Sequence, residues 1–150
     1  MKMMKNVMIA AAMMITAPLA LPATAMAQES PLVAGEYADV GGIFVKDGAS
    51  LKYAMHLATN WKKNQDFAKS QGWITDYKIY INEYPRNGEP NVYLMTTFAS
   101  MPDTAEEARR TKAYEAWAKT TFGQREAESG NRAEYRTVMS SMLLREYKVR

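Results

Sequence analysis

No cysteine occurs anywhere in this 150-residue chain, and histidine occurs once, as His56. The first absence excludes disulfides, a thiol nucleophile, a lipid-bearing cysteine behind a leader, thiolate zinc sites and iron–sulfur ligation. Stability has to come from packing. The second absence leaves His56 as the one side chain whose ordinary pKa lies near neutrality. A Ser-His-Asp arrangement would have to use it, and no glycine-flanked nucleophile serine is in sight. Long apolar runs are missing too. The stretch from Val7 to Ile15 is too short to cross a roughly 30 Å hydrocarbon layer at 1.5 Å per residue, and Pro18 and Pro22 interrupt the chain beyond it. Clustered positive charge is also scarce, because Lys62-Lys63 and Arg109-Arg110 are the only basic doublets. A phosphate-binding surface needs more than that, so nucleic acid is not an expected partner.

What is present begins with an address. Met1-Lys2-Met3-Met4-Lys5, the apolar run and Ala25-Met26-Ala27 have the charged start, apolar middle and small-x-small end of a secretory signal peptide. The expectation is cleavage after residue 27, a mature protein starting at Gln28, periplasmic or secreted localisation, and no membrane insertion once the signal is gone. Lys2 and Lys5 leave with it, so 19 basic side chains become 17 against 16 acidic, and the net charge falls from +3 to +1. The remaining 123 of 150 residues suit one domain with one core. All sixteen aromatic residues (Trp 3, Tyr 9, Phe 4) lie in that mature part.

Residues 28–36 carry little periodicity and are expected as a flexible lead-in to a single domain over 37–150. Tyr37 to Lys46 is rich in strand formers and ends at the turn pair Asp47-Gly48. Gly41-Gly42 lacks the third glycine of a dinucleotide fingerprint and suits a bulge or a close backbone approach. Ser50 offers an N-cap and Gly72 a left-handed stop, which predicts a helix over 51–71. At 100° per residue Leu51, Ala54, Leu57, Ala58, Trp61, Gln65 and Ala68 share the side expected against a sheet. Tyr53, His56, Asn60 and Phe67 lie nearly opposite, a surface for a partner helix or for a loop of the same chain.

Trp73 to Tyr84 alternates as a strand, Pro85 to Pro90 is a turn by chemistry, and Asn91 to Ala99 is the returning strand. Pairing Ile81 with Leu94 and Ile79 with Thr96 puts Tyr77, Ile79, Ile81, Val92, Leu94 and Phe98 on one face. Lys78, Tyr80, Asn82, Tyr93, Met95 and Thr97 take the other. Asp103 and Glu106 begin a second helix, expected to reach about Phe122 with Gly123 as its breaker. A short helical turn around 132–138 and a last strand over 139–149 complete the order.

The order β-α-β-β-α-β is that of a ferredoxin-like α+β domain: a four-stranded antiparallel sheet with its helices on one face. The uncovered face would carry Tyr80, Tyr93 and Met95, too apolar for comfortable exposure, which suggests sheet-against-sheet homodimerisation. Gly42-Ile43-Phe44-Val45-Lys46-Asp47-Gly48, the helix with Asn60-Trp61-Lys62, then Gly72-Trp73-Ile74 and Tyr77-Lys78-Ile79-Tyr80 make the chain resemble the dimeric α/β-barrel superfamily, in particular its uncharacterised exported members. That superfamily includes cofactor-independent monooxygenases, haem-handling enzymes, dye-type peroxidases and proteins without assigned activity. The resemblance implies a homodimer and leaves open an oxygenase-like or haem-handling enzyme, in which His56 is the one histidine able to ligate iron.

No catalytic set and no metal-ligand spacing emerges from the residues, and the cofactor stays open. Glu106/Glu107 and Glu126/Glu128 sit near helix ends, where capping and solubility account for them. The candidate ligand-binding residues are Lys78, Tyr80, Tyr93 and Met95 on the open face, together with His56. A flat hydrophobic molecule held there and oriented by tyrosine hydroxyls is one reading. Simple filling of a dimer interface is the other.

Overall fold

The computed structural model describes residues 29–150; the expected signal at 1–27, and Gln28 after it, lie outside them. Strand-forming, alternating sequence and capped helical segments yield ten elements. They are β1 (Leu32–Val45), α1 (Ser50–His56), a π-helical segment (Leu57–Trp61), α2 (Lys62–Ser70), β2 (Asp76–Ile81), β3 (Val92–Phe98), α3 (Thr104–Ala118), α4 (Phe122–Asn131), a 3-10 turn (Arg132–Glu134) and β4 (Arg136–Val149). The strands form one antiparallel sheet in the order β2-β3-β1-β4. This is an α+β arrangement, roughly ferredoxin-like, with an additional helix, α4, before the last strand.

The β2–β3 hairpin pairs Ile81 with Val92 and Ile79 with Leu94, two residues from the expected register. Side chains alternate with a period of two, so a two-residue displacement exchanges partners and leaves both face assignments intact. β1 pairs with β4 from Leu32↔Val149 to Val45↔Arg136, but with β3 only from Tyr37 to Ile43. The ends of β1 and β4 therefore continue as a two-stranded ribbon beyond the sheet, and residues 32–36 of the expected lead-in are strand. The register slips between Gly42 and Ile43, at the glycine pair. A Cβ on Gly42 would meet Pro90 Cγ at 2.7 Å and also the Ser140 hydroxyl, so the backbones approach here as only glycine allows.

α1, the π segment and α2 run end to end as one helix across the sheet. Ala49, without a side-chain cap, precedes it, and Ser50, the expected cap, is its first residue. Gly72 at φ +69° follows its end. Its buried side is not the expected one: Leu51 is 74% exposed, whereas Tyr53 is only 3% exposed and joins Ile43, Val45, Ala49, Leu57 and Val92 in the core. The π segment is the reason. One residue inserted into a helix retards its phase by about 100°, which brings Tyr53 ahead of the insertion into line with Trp61 and Gln65 behind it. The latter two keep their expected side, with the Trp61 ring edge-on to Tyr77 at 5.3 Å and the Gln65 side chain accepting from Thr96.

Asp103 caps α3 as its sequence indicates, accepting from the Glu106 amide at 2.8 Å. The helix ends earlier than expected, at Ala118, with Lys119 in the left-handed region at φ 52°. A Thr121–Gln124 capping box then opens α4, which runs through Gly123, the expected breaker. In place of a helical turn over 132–138 there is the 3-10 turn and the start of β4. α3 docks on α2. Phe67 stacks on Trp117 at 4.1 Å, with Tyr114 and Trp73 around it. The aromatic side left open as a partner surface is thus largely used within the chain, Phe67 under α3 and Tyr53 in the core.

Candidate functional site

Two regions gather apolar and polar side chains around the residues of interest, and they lie on opposite faces of the sheet. The first is the open face. Cross-strand pairs project to the same side, and Lys78↔Met95, Tyr80↔Tyr93, Val40↔Met95, Val40↔Met142 and Ala38↔Leu144 make a continuous surface across all four strands. Contacts from α1, α2 and the π segment fall on the other face, on Ile43, Val92, Thr96 and Tyr77. Tyr80 is accordingly 48% exposed, Met142 41% and Leu144 50%. Tyr93 and Met95 in the central strand are half-buried, and Val40 between them and β4 is buried. Four of the five candidate residues (Lys78, Tyr80, Tyr93, Met95) are therefore brought together as the alternation implied. Met142 and Leu144 join them from β4, whose alternation is hidden in sequence by the run Met-Leu-Leu.

His56, the fifth, is elsewhere. It lies at the end of α1 on the helix-covered side, its ring stacked on Tyr53 at 5.9 Å. Burial, the cause of greatest weight, and then the positive charges of Arg132 and Arg136 lower its pKa below 6.5, against a smaller opposing pull from Glu128. It is held as the neutral imidazole at neutral pH. Tyr53 beside it is raised above 10.0 by burial, with Arg136 and Arg132 opposing. Tyr53 also meets the Tyr135 ring at 6.3 Å and forms one wall of a cavity of about 290 Å³ between α1 and the ends of β1, β2 and β3. Val45, Leu57, Ile81 and Val92 supply its apolar lining, and Ser50, Asn82 and Asn91 its polar rim. The Asn91 amide is engaged on both sides, accepting from Val45 N at 2.8 Å and donating to Val45 O at 2.9 Å.

This second region was not legible in sequence. Tyr53 was placed on the wrong side of its helix, and Arg132 and Arg136 come next to it only because α4 and the 3-10 turn return the chain to α1. The i,i+4 spacing of two arginines around Tyr135 was a signal available, though in isolation it describes any solvated helix.

Glu106 and Glu107 sit in the first turn of α3 as expected, whereas Glu126 and Glu128 lie inside α4 and not at its end. Glu106 binds Arg109 and Arg110 at 2.6 and 2.7 Å, and these contacts hold its pKa down at about 2. Among the described residues no group of three or more His, Asp or Glu side chains is placed to hold a metal ion, and no helix is long and apolar enough to cross a membrane. Compared with protein-family models, with curated proteins and with solved structures, the chain has no significant match in any of the three.

Proposed function

We propose that the mature protein works as an exported homodimer whose two sheets pack face to face and hold a small hydrophobic or aromatic molecule between them. The observation that carries this reading is the open sheet face, where Tyr80, Met142 and Leu144 stand exposed beside Tyr93 and Met95 with no described helix over them. Contiguous apolar surface of this kind is rare on a monomer and marks a partner or a ligand. A second copy supplies a surface of the same character about 10 Å away, the usual spacing of packed sheets. The Tyr80 and Tyr93 hydroxyls then provide orienting groups at the edge of an apolar slot, and the Lys78 ammonium, on the outermost strand, a charge at its rim.

Light scattering on the mature protein after size exclusion tests the pairing. A dimer is expected, and Met142→Glu combined with Leu144→Glu should give a folded monomer. A clean monomer of the unmodified protein at micromolar concentration overturns the proposal. Native mass spectrometry of the dimer tests the slot through any copurifying small molecule, whose occupancy Tyr80→Ala should reduce.

A further inference from the structure

Asp39 stands where the fold calls for an apolar side chain. It lies on β1, an inner strand of the sheet, opposite Thr96 on β3 and Leu143 on β4. Paired residues project to one side, and the Thr96 hydroxyl donates to Gln65 on α2, so Asp39 points to the helix-covered face. Its neighbours on that side of β1 are Tyr37, stacked on Phe98, and further on Ile43 and Val45 in the core. Aspartate is disfavoured inside a strand. Among the described residues its carboxylate joins no ion pair and no hydrogen bond, unlike Asp66, Asp76 and Glu106.

Asp39 lines a cleft of about 360 Å³ between α2, the first turns of α3 and the sheet. Trp73, Phe98 and Met101 give the cleft apolar walls, Gln65 its α2 side and Arg110 its α3 rim. The next residue on this side of β1 is Gly41, where a Cβ would meet nothing closer than Leu94 O at 4.0 Å, so the sheet stays uncrowded beside the carboxylate. The nearby cations are engaged elsewhere. Arg110 Nε donates to Glu106 at 2.7 Å, and its guanidinium lies 5.7 Å from the Trp73 ring centroid. Arg145 lies over the Tyr37 ring at 4.7 Å. The start of α3 carries Asp103, Glu106 and Glu107 against Arg109 and Arg110. With Asp39 added, negative charge is in excess even when Arg145 is counted.

We infer that this cleft binds a small organic cation, its ammonium group on Asp39 and its short apolar or single-ring body against Trp73, Phe98 and Met101. An ammonium on a carboxylate makes a charge-assisted hydrogen bond, stronger than one between neutral groups, and walls that exclude water strengthen it further. A volume of about 360 Å³ lies within the range of ligand sites, about 300–1,000 Å³, and at its lower end, which limits the body to a single ring or a short chain. A neutral molecule would use the walls and leave Asp39 without a partner. An organic anion would have to draw Arg110 away from Glu106. The cleft lies on the opposite face of the sheet from Tyr80 and Met95, so the inference does not depend on how the open face is used.

Calorimetric titration of the mature protein with benzylamine, benzyl alcohol and benzoate, which share one ring and differ in charge, separates these cases. Benzylamine should bind, with benzyl alcohol and benzoate each at least about tenfold weaker, in keeping with a hydrogen bond between charged groups. Asp39→Asn keeps the shape of the side chain and removes its charge; it should weaken benzylamine about tenfold or more and leave benzyl alcohol unchanged. Met101→Ala, at a 54% exposed position before α3, should weaken benzylamine through the wall alone, so the inference stays testable if the Asp39 variant fails to fold. Equal binding of benzylamine and benzyl alcohol, tighter binding of benzoate, benzylamine affinity unchanged in either variant, or no benzylamine binding at millimolar concentration overturns it.

Discussion

At the scale of single residues, Lys119 holds a conformation that its type disfavours. It ends α3 at φ 52°, where a Cβ costs about 1 kcal/mol and glycine is the usual occupant. Lys119→Gly should raise stability by up to about 1 kcal/mol, less whatever the added freedom of the unfolded chain returns; the urea midpoint measures it. His56 makes a different prediction. Its folded pKa is depressed, so below pH 6.5 the unfolded chain takes up a proton that the folded one resists. The contribution is complete above pH 6.5 and is lost as pH falls toward the lower folded value. His56→Gln should therefore flatten the decline in urea midpoint between about pH 6.5 and pH 5, with the profile above pH 7 unchanged.

At the scale of elements, the helical layer is built in two steps of unequal strength. The α1–π–α2 helix is anchored by buried Tyr53 and Leu57 against β1 and β3. α3 contributes no buried residue and is held mainly by aromatic contacts of Trp117 and Tyr114 with Phe67, aided by Lys63 over the Trp117 ring. Phe67→Ala should cost about 2–3 kcal/mol, less than the 3–5 of a fully buried phenylalanine. Hydrogen exchange should then show α3 amides losing protection while β1 and β3 keep theirs. Equal loss in both would mean that the layer unfolds as one unit. The Asp103 cap offers a smaller test, since Asp103→Ala should cost about 1 kcal/mol through the freed Glu106 amide. Caps were readable in sequence because they are local: Asp103 was recognised by the acid three residues on, and the Thr121–Gln124 box obeys the same rule, although Gly123 distracts from it.

At the scale of the molecule, β1 and β4 are 14 residues each, against 6 and 7 for β2 and β3. The outer strand β4 leaves Val138, Met139, Met142, Leu143, Leu144, Tyr147 and Val149 exposed, on both of its faces. An apolar edge of that length invites pairing or covering. In the proposed homodimer the melting temperature should rise with protein concentration, because association favours the folded state by mass action. The Met142→Glu/Leu144→Glu protein should lose that dependence. A melting temperature independent of concentration in the unmodified protein, together with a monomeric mass, would sink the pairing.

Sequence alone determined what short-range rules govern: the strand alternation, which survived a two-residue register error because faces repeat every two residues; the left-handed stop at Gly72; the cap at Asp103; and the grouping of Lys78, Tyr80, Tyr93 and Met95. Tertiary structure decided the rest. A π segment with no clear local signature turned Tyr53 inward. The return of the chain through α4 set Tyr135 against Tyr53, some eighty residues earlier, and Phe67 found its cover in α3. Those outcomes rest on contacts between distant segments, whose energies compete across the whole fold and leave no periodic trace in any one stretch.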